Sequence, residues 1–225
     1  MCIRDRYYKK GLKVAAVKLK DNSEGLGINS RANLVDANRL AYRRNAKRHI
    51  DSGVSVISPE NTYIERGASI GRDTMIYPFV YIESGVKIGK HCIINPSSRI
   101  RKGSVIRDFA EIGNFAEINR SKVGRHTKIK HFSYIGDAYI GDNVNIGAGT
   151  VVANYDGKSK NKTIIRDNAF IGSNTTLVAP VEIGKGAVTG AGSVVTKNSK
   201  IAAGEIVVGV PARILKKKRN TTEHR

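Results

Sequence analysis

Large aromatic side chains are scarce in this sequence, which contains no Trp and only 6% aromatic residues. A chain of 225 residues is long enough to bury a sizeable core, so that core must be built from aliphatic side chains. The two cysteines cannot form a disulfide framework, which favours a reducing, cytoplasmic location. No apolar run approaches the roughly 20 residues of a membrane span, and the start MCIRDRYYKK lacks the apolar segment of a secretion signal.

Acidic residues are also few, with 19 Asp and Glu against 39 Lys and Arg, which leaves a net charge of +20. Such an excess favours anionic partners: nucleic acid, a membrane surface or a phosphorylated small molecule. Nucleic-acid binding would call for stacking aromatics on a basic face or a recognisable reading helix, and the sequence shows neither. We therefore expect a small phosphorylated molecule as the partner, no nucleic acid and no stable membrane association.

What the sequence has in abundance is a repeat of six residues. One aliphatic residue recurs at each repeat, the register slips twice, and Thr189 is the one polar exception. The positions are 64, 70, 76, 82, 88, 94, 100, 106, 112 and 118, then 123, 129 and 135, then 140, 146 and 152, and finally 165, 171, 177, 183, 195, 201 and 207.

A spacing of six suits a short strand followed by a corner, with one side chain pointing inward from each strand. Three such units make a triangular coil, and stacked coils pair as parallel strands about 4.8 Å apart. Gly and Asn, frequent between the aliphatic positions, tolerate the positive φ of tight corners. The repeat therefore predicts an all-β fold, a parallel β-helix of hexapeptide repeats.

Upstream of the repeat, Ser30 is placed to cap a helix over residues 31–50 that ends before Gly53. KVAAVKL, residues 13–19, predicts a single strand. We expect residues 1–28 to be the remnant of a lost N-terminal domain, with residues 1–6 foreign to it. A linker helix over 29–52, a β-helix over 53–213 and a basic tail over 214–225 complete the predicted organisation.

The register predicts which polar residues stack on the outside. Arg101 and Asn119 each follow an inward Ile one coil apart, and Tyr134 lies one coil further along. Together these side chains would line a groove suited to a sugar phosphate. Outward polar residues also occur on every coil of a β-helix, so the register alone leaves ordinary solvated surface as the alternative.

Three histidines, His91, His126 and His131, have spacings close to those of the β-helical zinc carbonic anhydrases. His91 and His126 occupy equivalent positions two coils apart, about 10 Å, which is too far to share one metal ion within a chain. A neighbouring chain could still supply a ligand, so this alternative stays open, although we expect no metal. His131 differs because it precedes Tyr134 and an extruded loop, NYDGKSKNKT at 154–163, where polar and basic residues interrupt the repeat.

The pattern over residues 60–213 resembles the left-handed β-helix of hexapeptide-repeat acyltransferases. HFSYIGDAYIGDNVNIGAGTVVANYDG, then KTIIRDNAFIGSNTTLVAPVEIGKGA and AGSVVT, resemble the acetyltransferase domain of bifunctional N-acetylglucosamine-1-phosphate uridyltransferase/glucosamine-1-phosphate acetyltransferases. GINSRANL is similar to the linker that precedes that domain.

This resemblance implies a cytoplasmic homotrimer with pockets between subunits, which transfers acetyl from acetyl-CoA to the amine of glucosamine 1-phosphate for UDP-N-acetylglucosamine and cell-envelope synthesis. It implies His131 as the general base. It implies substrate-binding roles for Arg101, Asn119, Tyr134, Asn145 and Lys160, and acetyl-CoA-binding roles for Ala148, Asn154, Tyr155, Ser173 and Ala191.

The sequence departs from the family in three places. The nucleotidyltransferase domain is absent, so no uridyltransferase activity is expected here. Asn119 stands where the family has a phosphate-binding Lys, with Arg120 beside it, and the β-helix before Arg101 is about two coils short. The ending GVPARIL is closer to general sugar acetyltransferases. Another amino sugar is therefore the alternative acceptor, and a β-helix that serves assembly alone is the non-catalytic alternative.

Overall fold

Short parallel strands in three sheets, which form the three sides of a stack of coils, make up most of the structure, a computed structural model that describes residues 3–215. Two α-helices come first, α1 at Ile3–Lys9 and α2 at Arg31–Asp51. Short 3-10 helices cover Asn22–Gly25 and Pro59–Asn61. The chain divides into two compact units between Leu40 and Ala41. The basic run Lys216–Arg219 of the predicted tail lies outside the described residues.

The predicted helix upstream of the repeat is confirmed as α2. The backbone N–H of Asn33 donates to Oγ of Ser30 over 3.1 Å, which is the expected N-cap, and Gly53 follows the helix end with φ +89°. The strand predicted at residues 13–19 is wrong, since that segment has no regular secondary structure. A strand needs a paired neighbour, and the first strand of the described chain begins only at Ser55.

Twenty-six strands of two to four residues follow within residues 3–215, in the order of the chain. They are β1 Ser55–Val56, β2 Tyr63–Ile64, β3 Ser69–Ile70, β4 Met75–Ile76, β5 Tyr81–Ile82, β6 Lys87–Ile88, β7 Ile93–Ile94, β8 Arg99–Ile100, β9 Val105–Ile106, β10 Glu111–Asn114, β11 Glu117–Asn119, β12 Lys122–Val123, β13 Lys128–His131, β14 Tyr134–Gly136, β15 Ala138–Ile140, β16 Asn145–Ile146, β17 Val151–Ala153, β18 Thr163–Ile165, β19 Phe170–Ile171, β20 Thr176–Val178, β21 Val181–Ile183, β22 Val188–Thr189, β23 Val194–Val195, β24 Lys200–Ile201, β25 Ile206–Val208 and β26 Arg213–Ile214.

Up to β25, every third strand belongs to the same sheet, and β26 joins the first sheet beside β25. The first sheet has the order β1-β4-β7-β10-β13-β16-β19-β22-β25-β26, the second β2-β5-β8-β11-β14-β17-β20-β23, and the third β3-β6-β9-β12-β15-β18-β21-β24. Within the described chain the pairs are parallel except β25 with β26, which is antiparallel and covers the last edge of the first sheet. The predicted parallel β-helix of hexapeptide repeats is confirmed.

The core is the column of inward side chains that the repeat predicts. Ile residues from Ile64 to Ile183 at those positions are buried, and only Ile201 near the end is half-buried. Thr189 also points inward and is 1% exposed. Its Oγ1 accepts from the backbone N–H of Gly172 and lies 3.0 Å from Oγ1 of Thr175. The polar exception is therefore tolerated because its hydroxyl is hydrogen-bonded inside the core.

The turns from the second to the third sheet, here called the second corner, change character along the chain. Gly67, Gly85 and Gly103 occupy this corner in the early coils with φ between +77° and +96°. Arg120 and Asp137 take the equivalent places, with φ +48° and +51°. These are the two coils in which the register slips, since one residue fewer separates the inward positions on either side of the corner.

Candidate active site

His131 lies where the first sheet turns into the second, a turn here called the first corner. Its carbonyl oxygen accepts from the backbone N–H of Gly149 over 3.1 Å, one coil further on. The same bond recurs from Asn174 to Ala148 at 2.7 Å and from Gly192 to Ser173 at 2.8 Å. His131, Ala148, Ser173 and Ala191 therefore occupy one position of this corner on four successive coils, and the imidazole is exposed.

Glycine makes this corner compact. A Cβ added to Gly147 would lie 2.4 Å from the backbone nitrogen of Ser173, and one added to Gly172 would lie 2.6 Å from that of Ala191. Backbone stands in the way at both positions, so side chains there would force successive coils apart. The absence of side chains leaves a row of closely stacked backbone on the C-terminal side of His131.

The outer face of the second sheet carries the residues predicted to hold the acceptor. Ile100 pairs with Ile118, so Asn119 follows Arg101 by one coil as predicted. Tyr134, however, pairs with Glu117, while Asn119 pairs with Gly136. The phenol and the amide therefore lie in adjacent columns of outward side chains. They are nevertheless in contact, since Nδ2 of Asn119 lies 3.5 Å from the Tyr134 hydroxyl.

Glu117 is a part of this face that the repeat did not single out. Its Oε1 accepts from Nη1 of Arg101 over 3.0 Å, and Nε of Arg101 lies 3.6 Å from Oε1 of Glu83. The Arg101 side chain is 38% exposed. One of the predicted phosphate ligands is thus held between two carboxylates with part of its guanidinium open to solvent.

An ionic pair dominates the second corner next to Asn119. Nε and Nη2 of Arg120 donate to the two carboxylate oxygens of Asp137 over 2.6 and 2.7 Å, and Nη1 donates to Oδ1 of Asn119 over 3.1 Å. The bonds from Arg120 hold the pKa of Asp137 below its usual range, with help from Asn154 and the charge of Lys160. Nδ2 of Asn154 donates to the same carboxylate. Asn119 and Asn154 are both buried, at 4% and 6% exposure.

Gly136 is the point at which two predicted groups converge. A Cβ there would lie 2.7 Å from Nδ2 of Asn154 and 2.8 Å from the Tyr134 hydroxyl. A predicted acceptor residue and a predicted acetyl-CoA residue therefore approach each other over a residue that has no side chain. The three nearest atoms, which include Cε1 of the Tyr134 ring, all belong to side chains, so a methyl group would crowd side chains and not the backbone.

The predicted loop runs from Asn154 to Lys162 between β17 and β18. Asp156 organises it by accepting from the backbone N–H groups of Lys158 and Ser159, at 3.1 and 2.8 Å, and from Nζ of Lys197 at 3.1 Å. Those backbone bonds, then the lysine, hold the pKa of Asp156 well below its usual range. Tyr155 and Lys160, both exposed, form a bridge across the loop.

Two predicted residues stand apart from this face within one chain. Asn145 lies on the first sheet between Lys128 and Phe170, not on the second sheet with Tyr134. Ala191 lies three coils beyond His131 along the first corner. A single chain therefore brings Tyr134, Asn119 and Asn154 together near the second corner, with His131 at the other end of the same strand connection, and it places Asn145 on another sheet.

The other histidines lie at a different corner. His91 and His126 stack on opposite faces of Phe109, with ring centroids 4.9 and 4.8 Å from that of Phe109. The expected separation of two coils is confirmed. Among residues 3–215, no group of three or more His, Cys, Asp or Glu side chains is arranged to hold a metal ion. The helices of the same region include none that is long and apolar enough to cross a bilayer.

Three parallel sheets whose strands follow one another in turn, with an inward residue at a spacing of about six, define a hexapeptide-repeat β-helix. Residues 67–102, 120–154 and 162–197 match the family of bacterial transferase hexapeptide (six repeats). The chain thus combines the hexapeptide repeats of this family with a parallel β-helix fold.

Its similarity to individual proteins is more specific. It is 45% identical to the bifunctional protein GlmU of Acetivibrio thermocellus, across 84% of this chain and 48% of that protein. For GlmU of Thermotoga maritima the identity is 42%, across 83% and 49%. For GlmU of Desulfitobacterium hafniense it is 39%, across 97% and 53%. The chain spans about half the length of these relatives.

Among solved structures, the UDP-N-acetylglucosamine acyltransferase of Francisella novicida has a TM-score of 0.52 at 18% identity, across 74% of this chain and 71% of that one. At that identity the likeness concerns the fold alone. The sequence similarity to GlmU and the local geometry therefore carry the functional conclusion.

Proposed function

We propose that this protein transfers an acetyl group from acetyl-CoA to the amine of glucosamine 1-phosphate, giving N-acetylglucosamine 1-phosphate for UDP-N-acetylglucosamine and cell-envelope synthesis. The 39–45% identity to GlmU proteins supports this reaction. The observation that carries the proposal is the approach of Tyr134 and Asn154 over Gly136, on the strand that begins three residues after His131. A β-helix that served assembly alone would have no reason to gather these groups beside an ordered polar loop.

The chemistry assigns a role to each group. A protonated amine cannot attack a thioester, and imidazole is the side chain that exchanges protons near neutral pH, so His131 takes the proton of the acceptor amine. The amine nitrogen bonds to the acetyl carbon, the carbon–sulfur bond breaks, and CoA leaves as the thiol with the proton that His131 returns. The backbone N–H of Ala148 stabilises the oxyanion that forms between these steps, since those of its neighbours Gly147 and Gly149 are donated to Ile171 and His131.

The acceptor phosphate and the acetyl donor occupy different ends of this arrangement. Arg101, Tyr134 and Lys160 bind the sugar phosphate, with Asn119 as an uncharged contributor. Ala148, Ser173 and Ala191 contact acetyl-CoA along the first corner, and Asn154 and Tyr155 contact it from the loop. The row of side-chain-free backbone beside His131 supports this path, because an extended thiol ester can approach the main chain closely there.

The remaining predicted ligand argues for a trimer. Asn145 lies on a different sheet from Tyr134, so both can reach one sugar phosphate only if a neighbouring chain supplies the amide. Equivalent contacts that repeat around a ring close as a cyclic oligomer. We infer a cytoplasmic homotrimer with three pockets between chains, in which no metal takes part.

A thiol-release assay with acetyl-CoA tests the reaction, with glucosamine 1-phosphate, glucosamine and other amino sugars as acceptors. Rapid CoA release that depends on the 1-phosphate supports the proposal. Because Asn119 brings no charge, the second candidate is acetyl transfer to an unphosphorylated amino sugar. Efficient turnover of glucosamine without preference for its phosphate would favour that candidate, and no release with any acceptor would refute both.

A further inference from the structure

Arg120 occupies a backbone conformation that usually belongs to glycine. Its φ is +48°, at the corner where the three preceding coils have Gly67, Gly85 and Gly103. A Cβ on Gly103 would lie 3.7 Å from Cα of Arg120, so the two residues are direct neighbours in the stack. A long side chain in the left-handed region is uncommon and persists where surrounding contacts determine it.

Those contacts involve all three nitrogens of the guanidinium group. Nε and Nη2 bind the carboxylate of Asp137 in a fork, and Nη1 binds the side-chain oxygen of Asn119. The hydrogen bonds that Arg120 donates to Asp137 in turn raise the pKa of Arg120. Each of the three nitrogens therefore donates within the protein, which fixes the plane and direction of the guanidinium group, although two of its five N–H donors remain and the side chain is 37% exposed.

The consequence concerns orientation. Since the amide oxygen of Asn119 faces Arg120, its Nδ2 points toward the Tyr134 hydroxyl. On the other side, Asp137 accepts from both Arg120 and Asn154. The guanidinium thus bonds directly to a buried amide on the acceptor side and shares the carboxylate of Asp137 with a buried amide at the start of the loop.

We propose that Arg120 is a positioning residue that fixes Asn119 toward the acceptor and, through Asp137, fixes Asn154 toward acetyl-CoA. This inference rests on the proposed acetyl transfer. It assigns Arg120 a structural link between two substrates and gives it no contact with the phosphate. The shortened corner is what creates the link, because it places Arg120 and Asp137 in adjacent coils where glycine would otherwise lie.

The variant Arg120→Lys distinguishes a positioning role of Arg120 from direct binding of the acceptor phosphate. A lysine keeps the charge but cannot form the fork, so a point charge for phosphate would survive while a positioning fork would be lost. We expect KM for both acceptor and acetyl-CoA to rise about tenfold, the usual effect of losing a charge-assisted hydrogen bond. If Arg120 binds phosphate directly, the acetyl-CoA KM will stay at the wild-type value, and that result would overturn the proposal.

Asp137→Asn provides a second test, in which the two roles predict opposite changes of the acceptor KM. In the positioning role the acceptor KM rises, because Arg120 no longer holds Asn119 in place. In a direct phosphate-binding role the substitution releases a cation toward the acceptor, and its KM falls. The double variant Arg120→Lys/Asp137→Asn should lose less than the sum of the single losses, since both act through one contact.

The matched control is Arg166→Lys. Arg166 binds Glu182 with two nitrogens, over 3.0 and 2.7 Å, between neighbouring coils of the third sheet. Its variant should keep both KM values, and thermal melting of all variants shows whether each remains folded. Equal KM changes in the control would mean that the Arg120 effect is a general loss of rigidity. A wild type without CoA release would refute the proposed function itself, whereas an active wild type with unchanged Arg120→Lys would refute the positioning role alone.

Discussion

The coils before Asn119 and the coils from Asn119 to Ile165 share one core but have different corners. Both bury an aliphatic column, from Ile64 to Ile118 in the first and from Val123 to Ile165 in the second. In the early coils the second corner is closed by glycine, whereas the later coils place Arg120 and Asp137 there and then extrude the loop. The inward residues are thus of the same kind in both regions. The candidate site differs from the rest of the β-helix in its corners.

The physical reason is that an inward position and a corner position obey different constraints. An inward side chain must fill a fixed volume, so substitution is limited to Ile, Val, Leu or a hydrogen-bonded Thr. A corner must only reverse the chain with acceptable φ. Removal of one residue there converts a glycine position into one that carries a charged side chain, while the strands on either side keep their register.

The largest effect should come from the side chain at the first corner. We expect His131→Ala to lower kcat by roughly 10²–10⁴-fold, since no other group would remove the amine proton. The melting temperature should change little because the imidazole is exposed. Steady-state kinetics with acetyl-CoA and glucosamine 1-phosphate measure this.

His126→Ala is the matched control for that variant. His126 is another corner histidine, but it stacks on Phe109 away from the candidate site. Its replacement should preserve kcat. Comparable losses in the two variants, or full activity in folded His131→Ala, would contradict the role of His131 as the base.

Replacing two glycines by alanine should separate an effect on folding stability from an effect on substrate binding. A Cβ on Gly113 would lie 1.4 Å from the carbonyl oxygen of Lys130, so Gly113→Ala must displace backbone and should cost about 3 kcal/mol or more of folding free energy. Gly136→Ala meets only the side chains of Tyr134 and Asn154. It should melt near the wild-type temperature while KM for both substrates rises about tenfold.

Denaturant unfolding and kinetics on the same preparations test this pair. The contrast fails if Gly136→Ala is as destabilised as Gly113→Ala. It fails equally if Gly136→Ala keeps wild-type KM values, because Tyr134 and Asn154 would then not need their close approach.

Restoring a cation at the position after Ile118 should have a smaller effect. Asn119→Lys brings a charge to the acceptor face, and a charged hydrogen bond is roughly twice as strong as a neutral one. We expect KM for glucosamine 1-phosphate to fall by up to about tenfold, limited by repulsion from Arg120, with the acetyl-CoA KM unchanged. The gain should shrink at high salt.

Asn119→Gln, which adds length without charge, controls for the change in shape. An equal fall in KM for unphosphorylated glucosamine would show that the phosphate is not what the lysine recognises.

The smallest effect concerns the loop and its dependence on pH. The pKa of Asp156 is depressed by the N–H groups of Ser159 and Lys158, so its contribution to loop order is present above the usual pKa of an aspartic acid and is lost only as pH falls below it. Amide exchange at Ser159 and Lys158, corrected for intrinsic rates, should be equally protected at pH 7 and pH 5. Asp156→Asn removes the charge at any pH and should speed both amides, with KM changing by about twofold or less. Loss of protection in the wild type between pH 7 and pH 5 would show that Asp156 titrates in a higher range.

The local sequence determined the scaffold and much of the candidate site. The spacing of six identified one column of inward residues up to Val207, including Thr189, because side chains that must fill a closed interior recur regularly along the chain. It did not identify the second set of buried residues two positions earlier, such as Val80, Val86 and Cys92. It also predicted the stacking of Asn119 after Arg101, the separation of His91 from His126 and the loop after Ala153. Ser30 and Gly53 marked the ends of α2 for equally local reasons, a hydroxyl that caps and a positive φ.

Tertiary structure alone decided the partners of the polar side chains. Tyr134 pairs with Glu117 and yet reaches Asn119, Arg120 is engaged by Asp137, and Gly136 is crowded by two side chains from different coils. Residues 13–19 have strand-forming composition but no neighbouring strand to pair with. Register places a Cα within about 5 Å along the stack. Which long side chain then satisfies which carboxylate depends on rotamers and competing hydrogen bonds across coils, and the repeat carries no information about them.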